Sequence, residues 1–236
     1  MKIPDIVKTY LSEPGDLLSI SDHIFGVTKN IEEQKINTKD GNKEVIILTG
    51  LSGSGKDTII DRLISGNGKY KKIKTCTTRK RRPEESEIDD PYVRVTKEEL
   101  QKMMKDGSAL ECVEYAGNFY CTSKTEIDKV INENKTPILR IDPKGAKFFI
   151  EANKNGHKFL KDYNFTYLFV VTTSFDDLVN RLINRGSTIS LLSERLAQSR
   201  KDIDYVGDAQ YIIVNEYGKL NEVINEVNDI LRQDLP

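Results

Sequence analysis

The stretch Val45-Ile46-Ile47-Leu48-Thr49-Gly50-Leu51-Ser52-Gly53-Ser54-Gly55-Lys56-Asp57-Thr58 limits what this chain can fold into more than any other. Its apolar run reads as a buried strand, and Ile59, Ile60, Leu63 and Ile64 then recur on one helical face. Between them, glycines at 50, 53 and 55 let the backbone curl so that several N–H groups point at one place. A helix beginning near Lys56 adds the partial positive charge of its N-terminus. Strand, glycine turn and helix in this order suit an anion. Gly50-x-x-x-x-Gly55-Lys56 matches the phosphate-loop pattern, whose lysine reaches the β- and γ-phosphates of a nucleoside triphosphate. A dinucleotide fingerprint is excluded, because Gly53-x-Gly55 is not followed by x-x-Gly. Asp57 stands where the pattern has a hydroxyl for Mg²⁺. It either faces the metal through water or is a helix-start acid, and Thr58 offers a hydroxyl one residue on.

Beyond this loop, short apolar strands alternate with amphipathic helices. Strands are expected at 45–49, 72–78, 92–95, 136–142, 165–173 and 210–215. That alternation predicts an α/β fold, a three-layer parallel sheet with helices on both faces. The middle third carries hairpin signals instead: 109–116, a turn at Gly117-Asn118, then Phe119 to Ser123. Thr96, with Glu99 three residues on, predicts a capped helix there. A small mixed α+β insert over 75–135 follows, with core segments 44–74, 136–184 and 205–236 and a helical lid at 185–204. Residues 1–43 form an N-terminal extension in which Ile3, Ile6, Val7, Tyr10 and Leu11 have helical spacing. It is expected to pack on its own domain, to contact a partner or a second copy in a homo-oligomer, or to be partly disordered.

Composition removes other classes. A formal net charge of -1 lacks the basic excess of a nucleic-acid binder. Two histidines in polar surroundings argue against a histidine triad or zinc site, and Tyr167–Val171 is too short an apolar run to cross a membrane. The start has no long apolar segment of the kind a signal peptide needs. Cys76, Cys112 and Cys121 form no C-x-x-C pair, which predicts reduced thiols in a cytoplasmic protein.

Three further stretches follow the loop in order: TCTTRKRRPEE (75–85), LECVEYAGNFYCTS (110–123) and RIDPKGA (140–146). With NRLINRGS followed by SERL, and a final YIIVNEY, they resemble the guanylate kinase family over about 45–232. The resemblance implies transfer of the γ-phosphoryl of ATP to GMP or dGMP, with small-molecule nucleotides as the partners and Mg²⁺ assisting. Ser52, Gly53, Ser54, Gly55, Lys56, Asp57 and Thr58 would hold the donor, and Asn215 would contact adenine or end a strand. Arg79 and Arg82 would clamp the acceptor phosphate, with Tyr92 and Tyr120 donating to it and Glu85 bracing the group. Glu111 would take guanine N1–H and N2–H₂, Thr75 and Thr122 would meet O6, and Asp142 would read N2 through water. Arg185 and Arg195, with Arg181 beside them, would act on the transferring phosphoryl together with Lys56 and Arg79. Departures from the family pattern are Arg140 in place of an acid, Cys112 in place of tryptophan and Cys121 in place of glycine. They leave room for a kinase with a shifted acceptor. A non-catalytic interaction module is the other alternative, although such modules lose loop residues that this chain keeps.

Overall fold

A computed structural model of the chain describes residues 43–81, 90–115 and 117–234. The expectations for the extension before residue 43, and for Arg82 and Glu85, lie outside these residues. Two compact units divide the described chain, one of 48–61 with 167–234 and the other of 43–47 with 62–166.

Strands β1 (Lys43–Gly50), β2 (Tyr70–Lys72), β7 (Thr136–Arg140), β8 (Tyr163–Val171) and β9 (Tyr211–Val214) form one sheet in the order β2-β7-β1-β8-β9. The β2–β7 and β8–β9 pairs run parallel. Every residue of β8 is buried, as is β1 from Val45 onward. Continuous burial without alternation is what a parallel strand covered on both faces requires. Helices α1 (Lys56–Asn67), α3 (Lys124–Asn132), α4 (Pro143–Lys154), α5 (Phe175–Asn184), α6 (Ile189–Asp202) and α7 (Leu220–Asp234) accompany the strands, and a 3₁₀ turn at Ile203–Asp208 follows α6. The amphipathic spacing sorts their faces: α5 buries Leu178, Val179 and Leu182, while α7 buries Val223, Val227 and Leu231. The predicted α/β architecture is the one observed.

A second sheet of four strands has the order β4-β3-β6-β5, with β3 at Thr75–Thr77, β4 at Tyr92–Arg94, β5 at Ala109–Tyr115 and β6 at Asn118–Ser123. It is mixed: β3 pairs parallel to β4 and antiparallel to β6, and β5 pairs antiparallel to β6. Helix α2 (Lys97–Asp106) has the capping box expected of Thr96 and Glu99: Thr96 Oγ1 accepts the Glu99 N–H, and Glu99 returns a carboxylate to the Thr96 N–H at 2.7 Å.

Two expectations need correction. The single strand expected at 72–78 is two strands in different sheets, β2 and β3, separated at Ile73-Lys74. Apolar alternation cannot show a chain changing partners. The hairpin also closes one residue earlier than expected, which moves the pairing by two residues. Tyr115 pairs with Asn118, so Asn118 belongs to β6 and not to the turn.

Candidate active site

One group of candidate residues lies in the unit of 48–61 and 167–234. Gly50 has φ +130°, and any Cβ there would run into the Val170 carbonyl, so this close approach admits only glycine. The Leu51 N–H then donates to Val170 O at 3.1 Å. Gly53 (φ +91°) and Gly55 (φ +93°) continue the curl, and a Cβ on Gly55 would strike the Asn215 amide. Lys56 folds back over the loop, its Nζ donating to Gly50 O at 2.8 Å and Leu51 O at 2.6 Å. Asn215 is buried and donates from Nδ2 to Ser54 O at 2.7 Å, bracing the loop across 161 residues of sequence. Ser54 Oγ is buried without a hydrogen-bond partner. Such an atom is costly unless a ligand completes it.

Arg181 is spent on structure in this state. It holds Asp177 with Nε at 3.0 Å and Nη2 at 2.9 Å, and Nη2 reaches Asn215 O at 2.6 Å. Arg185 caps the C-terminus of α5 and is exposed. Arg195 donates to Ser187 Oγ at 3.4 Å. An open cavity of about 450 Å³ is lined by Gly53, Gly55, Thr58, Arg181, Arg185 and Asn215, among others. Glycine cradle, helix start and two arginines line it, which is a donor set suited to a polyphosphate. Asp57 lies in the first turn of α1 and is partly exposed. Among the described residues no three His, Cys, Asp or Glu side chains cluster as a metal site. One acid beside a phosphate loop still fits Mg²⁺, which takes one or two carboxylates and completes its shell with phosphate oxygens and water.

A separate group lies in the other unit, on the four-stranded sheet. Strand alternation and register put Thr75, Tyr92, Glu111, Tyr120 and Thr122 on one face, with Glu111 opposite Thr122, Thr75 opposite Tyr92 and Thr77 opposite Tyr120. The opposite face packs Cys76, Cys121 and Leu100 with Val93, Val95, Met103 and Phe119. Thr122 Oγ1 is buried without a partner, as a hydroxyl awaiting a ligand would be. Burial, and then the negative charge of Asp142, pushes the Glu111 carboxyl up to about 7, against a smaller pull from Lys144. Gly145 makes room for it, since a Cβ there would sit 3.1 Å from Glu111 Oε1. Asp142 is the N-cap of α4 and accepts the Gly145 N–H at 2.9 Å. Arg79 lies over the Tyr92 ring, 5.4 Å from its centroid, and Tyr92 meets Tyr120 edge to face at 5.8 Å.

The structure thus gathers the expected acceptor residues it describes around one face, and the expected donor residues around one loop. It also overturns the expectation of reduced thiols, because Cys112 and Cys121 are joined in a disulfide and Cys76 alone is free. The two stand directly opposite each other in the hairpin with Cα atoms 4.2 Å apart. An odd cysteine count without a C-x-x-C pair gave no sign of a bond whose partners meet only across two strands. Sequence reasoning also missed Asp90 and Arg94. The one available signal was the Tyr92-x-Arg94 alternation, which puts both side chains on the same face of β4.

Fold and site together define a phosphate-loop protein of the nucleotide-handling α/β class. The family model for guanylate kinase matches residues 42–234, and on that match the chain belongs to the guanylate kinase family. A guanylate kinase of Clostridium perfringens is 31% identical over 195 residues, covering 82% of this chain and 84% of that protein. One of Clostridium tetani is 30% identical over 189 residues, covering 79% and 84%. In three dimensions, a crystal structure of guanylate kinase from Anaplasma phagocytophilum superposes with a TM-score of 0.57 at 21% identity, over 83% of this chain and 87% of that one, which supports the fold. Among the described residues no helix is long and apolar enough to cross a membrane.

Proposed function

We propose that this chain transfers the γ-phosphoryl group of ATP to GMP or dGMP. The observation that carries the choice of acceptor is the Glu111–Thr122 pair: a carboxyl poised near neutrality opposite a buried hydroxyl with no partner. Guanine offers N1–H and N2–H₂ as donors and O6 as acceptor. Ionised Glu111 takes the two donors and Thr122, with Thr75, serves O6. Adenine would reverse both polarities and leave buried groups unpaired, which in favourable sites discriminates by about 10⁴-fold. Asp142 supports N2 recognition through water.

Transfer is one displacement. An oxygen of the acceptor phosphate bonds to the γ-phosphorus as the bond to the β–γ bridging oxygen breaks, and ADP leaves. No covalent enzyme intermediate is needed, so catalysis rests on positioning and charge neutralisation. Ser52 to Thr58 cradle the donor phosphates, Lys56 exchanges its loop carbonyls for phosphate oxygens, and Asn215 braces the loop beside the donor base. Arg185 and Arg195 neutralise the transferring group, and Arg181 joins them by releasing Asp177. Arg79 and Arg82, with the hydroxyls of Tyr92 and Tyr120 and the support of Glu85, hold the acceptor phosphate. Mg²⁺, when bound, supplies charge neutralisation on the donor phosphates, and Asp57 would face it through water. On this reading 44–236 is the catalytic domain, 75–135 its acceptor insert, 185–204 its lid and 1–43 an extension that contacts its own domain or a second copy. The compartment proposed remains the cytoplasm, although the Cys112–Cys121 bond removes the thiol argument for it.

The test is an ADP-release assay with ATP, Mg²⁺ and each common ribo- and deoxyribonucleoside monophosphate. GMP and dGMP should be turned over well ahead of the rest, and Glu111→Ala should damage guanine use selectively. Preference for another acceptor would favour a shifted-acceptor kinase. Inactivity with all of them would favour an interaction module.

A further inference from the structure

Asp90 and Arg94 form a preassembled support beneath the acceptor-phosphate clamp. Arg94 follows Tyr92 by two residues in β4 and so shares its face. Its guanidinium spans both oxygens of Asp90, Nε to Oδ2 at 2.9 Å and Nη2 to Oδ1 at 3.0 Å. Its remaining nitrogen, Nη1, donates to the backbone carbonyl of Arg79 at 2.8 Å. The same guanidinium lies 5.0 Å from the centroid of the Tyr92 ring, which also carries Arg79 at 5.4 Å. Asp90 is 4% exposed and takes two further donors, the Tyr92 N–H at 3.0 Å and Arg81 Nε at 3.2 Å. These bonds, led by those from Arg94, hold the Asp90 carboxyl far below the usual carboxylate range.

A buried ion pair stabilises little compared with an apolar pair of the same shape, because both charges must be desolvated. What it supplies is fixed geometry, and here that geometry falls on two of the residues assigned to the acceptor phosphate. Arg94 fixes the main chain from which the Arg79 side chain springs, and Asp90 fixes the main chain of Tyr92. A planar fork does this where an ammonium could not, since three of its nitrogens serve three separate acceptors.

We propose that Asp90 and Arg94 are positioning residues for the phosphate of the acceptor, setting affinity for that phosphate while leaving base recognition and donor binding untouched. The proposal rests on the kinase reading above, so its test separates the two. Steady-state kinetics would give KM for GMP, KM for ATP and the inhibition constant of guanosine, which carries the base without the phosphate. Arg94→Met should raise KM for GMP roughly tenfold or more, the loss expected when charge-assisted contacts fall out of register. KM for ATP and the guanosine constant should stay within about twofold, which a general loss of folding would not permit. Arg94→Lys keeps the charge but not the fork and should lose several-fold, in the same selective pattern. Asp90→Asn should mimic Arg94→Met, and the double variant should be no worse than either alone, because both act through one contact network. The proposal is overturned if Arg94→Met binds GMP as wild type does, or if GMP and guanosine weaken in parallel. If Arg94→Met does not fold, an Arg94→Lys enzyme with wild-type KM for GMP overturns it equally. A wild-type protein that phosphorylates no monophosphate removes the kinase reading and this support role with it, whereas an active wild type with an indifferent Arg94 removes only the latter.

Discussion

Lowering the pH from 8 to 6 should weaken GMP binding through Glu111 by about tenfold. The carboxyl titrates near 7 in the free protein because burial and the neighbouring Asp142 disfavour its charge. Only the ionised form accepts both guanine donors. With half-protonation at about 7, roughly nine-tenths of the molecules are competent at pH 8 and one-tenth at pH 6, and apparent affinity follows that fraction. Binding at pH 6 should therefore release close to one proton, read by titration calorimetry in buffers of different ionisation enthalpy. The phosphate of GMP titrates near pH 6 as well, so the comparison is with Glu111→Gln, which keeps the phosphate effect and loses the carboxyl effect. That variant should bind GMP about tenfold or more weakly at pH 8 and show the shallower pH slope. Stability moves the other way. The folded value lies above the usual 4.5, so the contribution of Glu111 is fully present below pH 4.5 and is lost as pH rises through about 7. The full shift corresponds to about 3 kcal/mol, and partial solvent access reduces it to about 1 kcal/mol. Glu111→Gln should then melt about 2–4 °C above wild type at pH 8, and level with it at pH 4. Equal pH slopes for wild type and Glu111→Gln would refute the argument.

Lys56→Ala should cut turnover with every acceptor by about 100-fold or more while the fold persists, checked by ADP release and circular dichroism. Gly50→Ala should destabilise the protein by about 2 kcal/mol or more, measured by denaturant unfolding, since φ +130° and the Val170 carbonyl leave no place for a methyl group. Unfolded without reductant, the chain should show one reactive thiol, Cys76, and after reduction three, by thiol titration. Three thiols before reduction would contradict the Cys112–Cys121 bond. Asp57→Ser should shift the Mg²⁺ dependence of turnover, and an unchanged Mg²⁺ curve would make the acid a plain helix start.

The determinants that the sequence carried by itself are contiguous ones. A strand, glycines at fixed steps and a lysine at a helix start specify the donor loop within fourteen residues. The Thr96–Glu99 box needs only one helical turn, and the buried run Tyr167–Val171 within β8 is continuously apolar. Resemblance extended this to acceptor residues scattered over the insert, because their order along the chain matches the family. What only the tertiary structure decided depends on which strand lies beside which. Ile73-Lys74 passes between two sheets, a change that leaves no mark on local alternation. The register of β5 against β6 sets Glu111 opposite Thr122 and Cys112 opposite Cys121, and a shift of one residue would send every side chain to the wrong face. Asn215 reaches Ser54 across 161 residues, and Arg94 reaches the Arg79 carbonyl from a neighbouring strand. Local chemistry chooses helix, turn and strand. Long-range pairing chooses neighbours, and the raised carboxyl of Glu111 is a property of its neighbours.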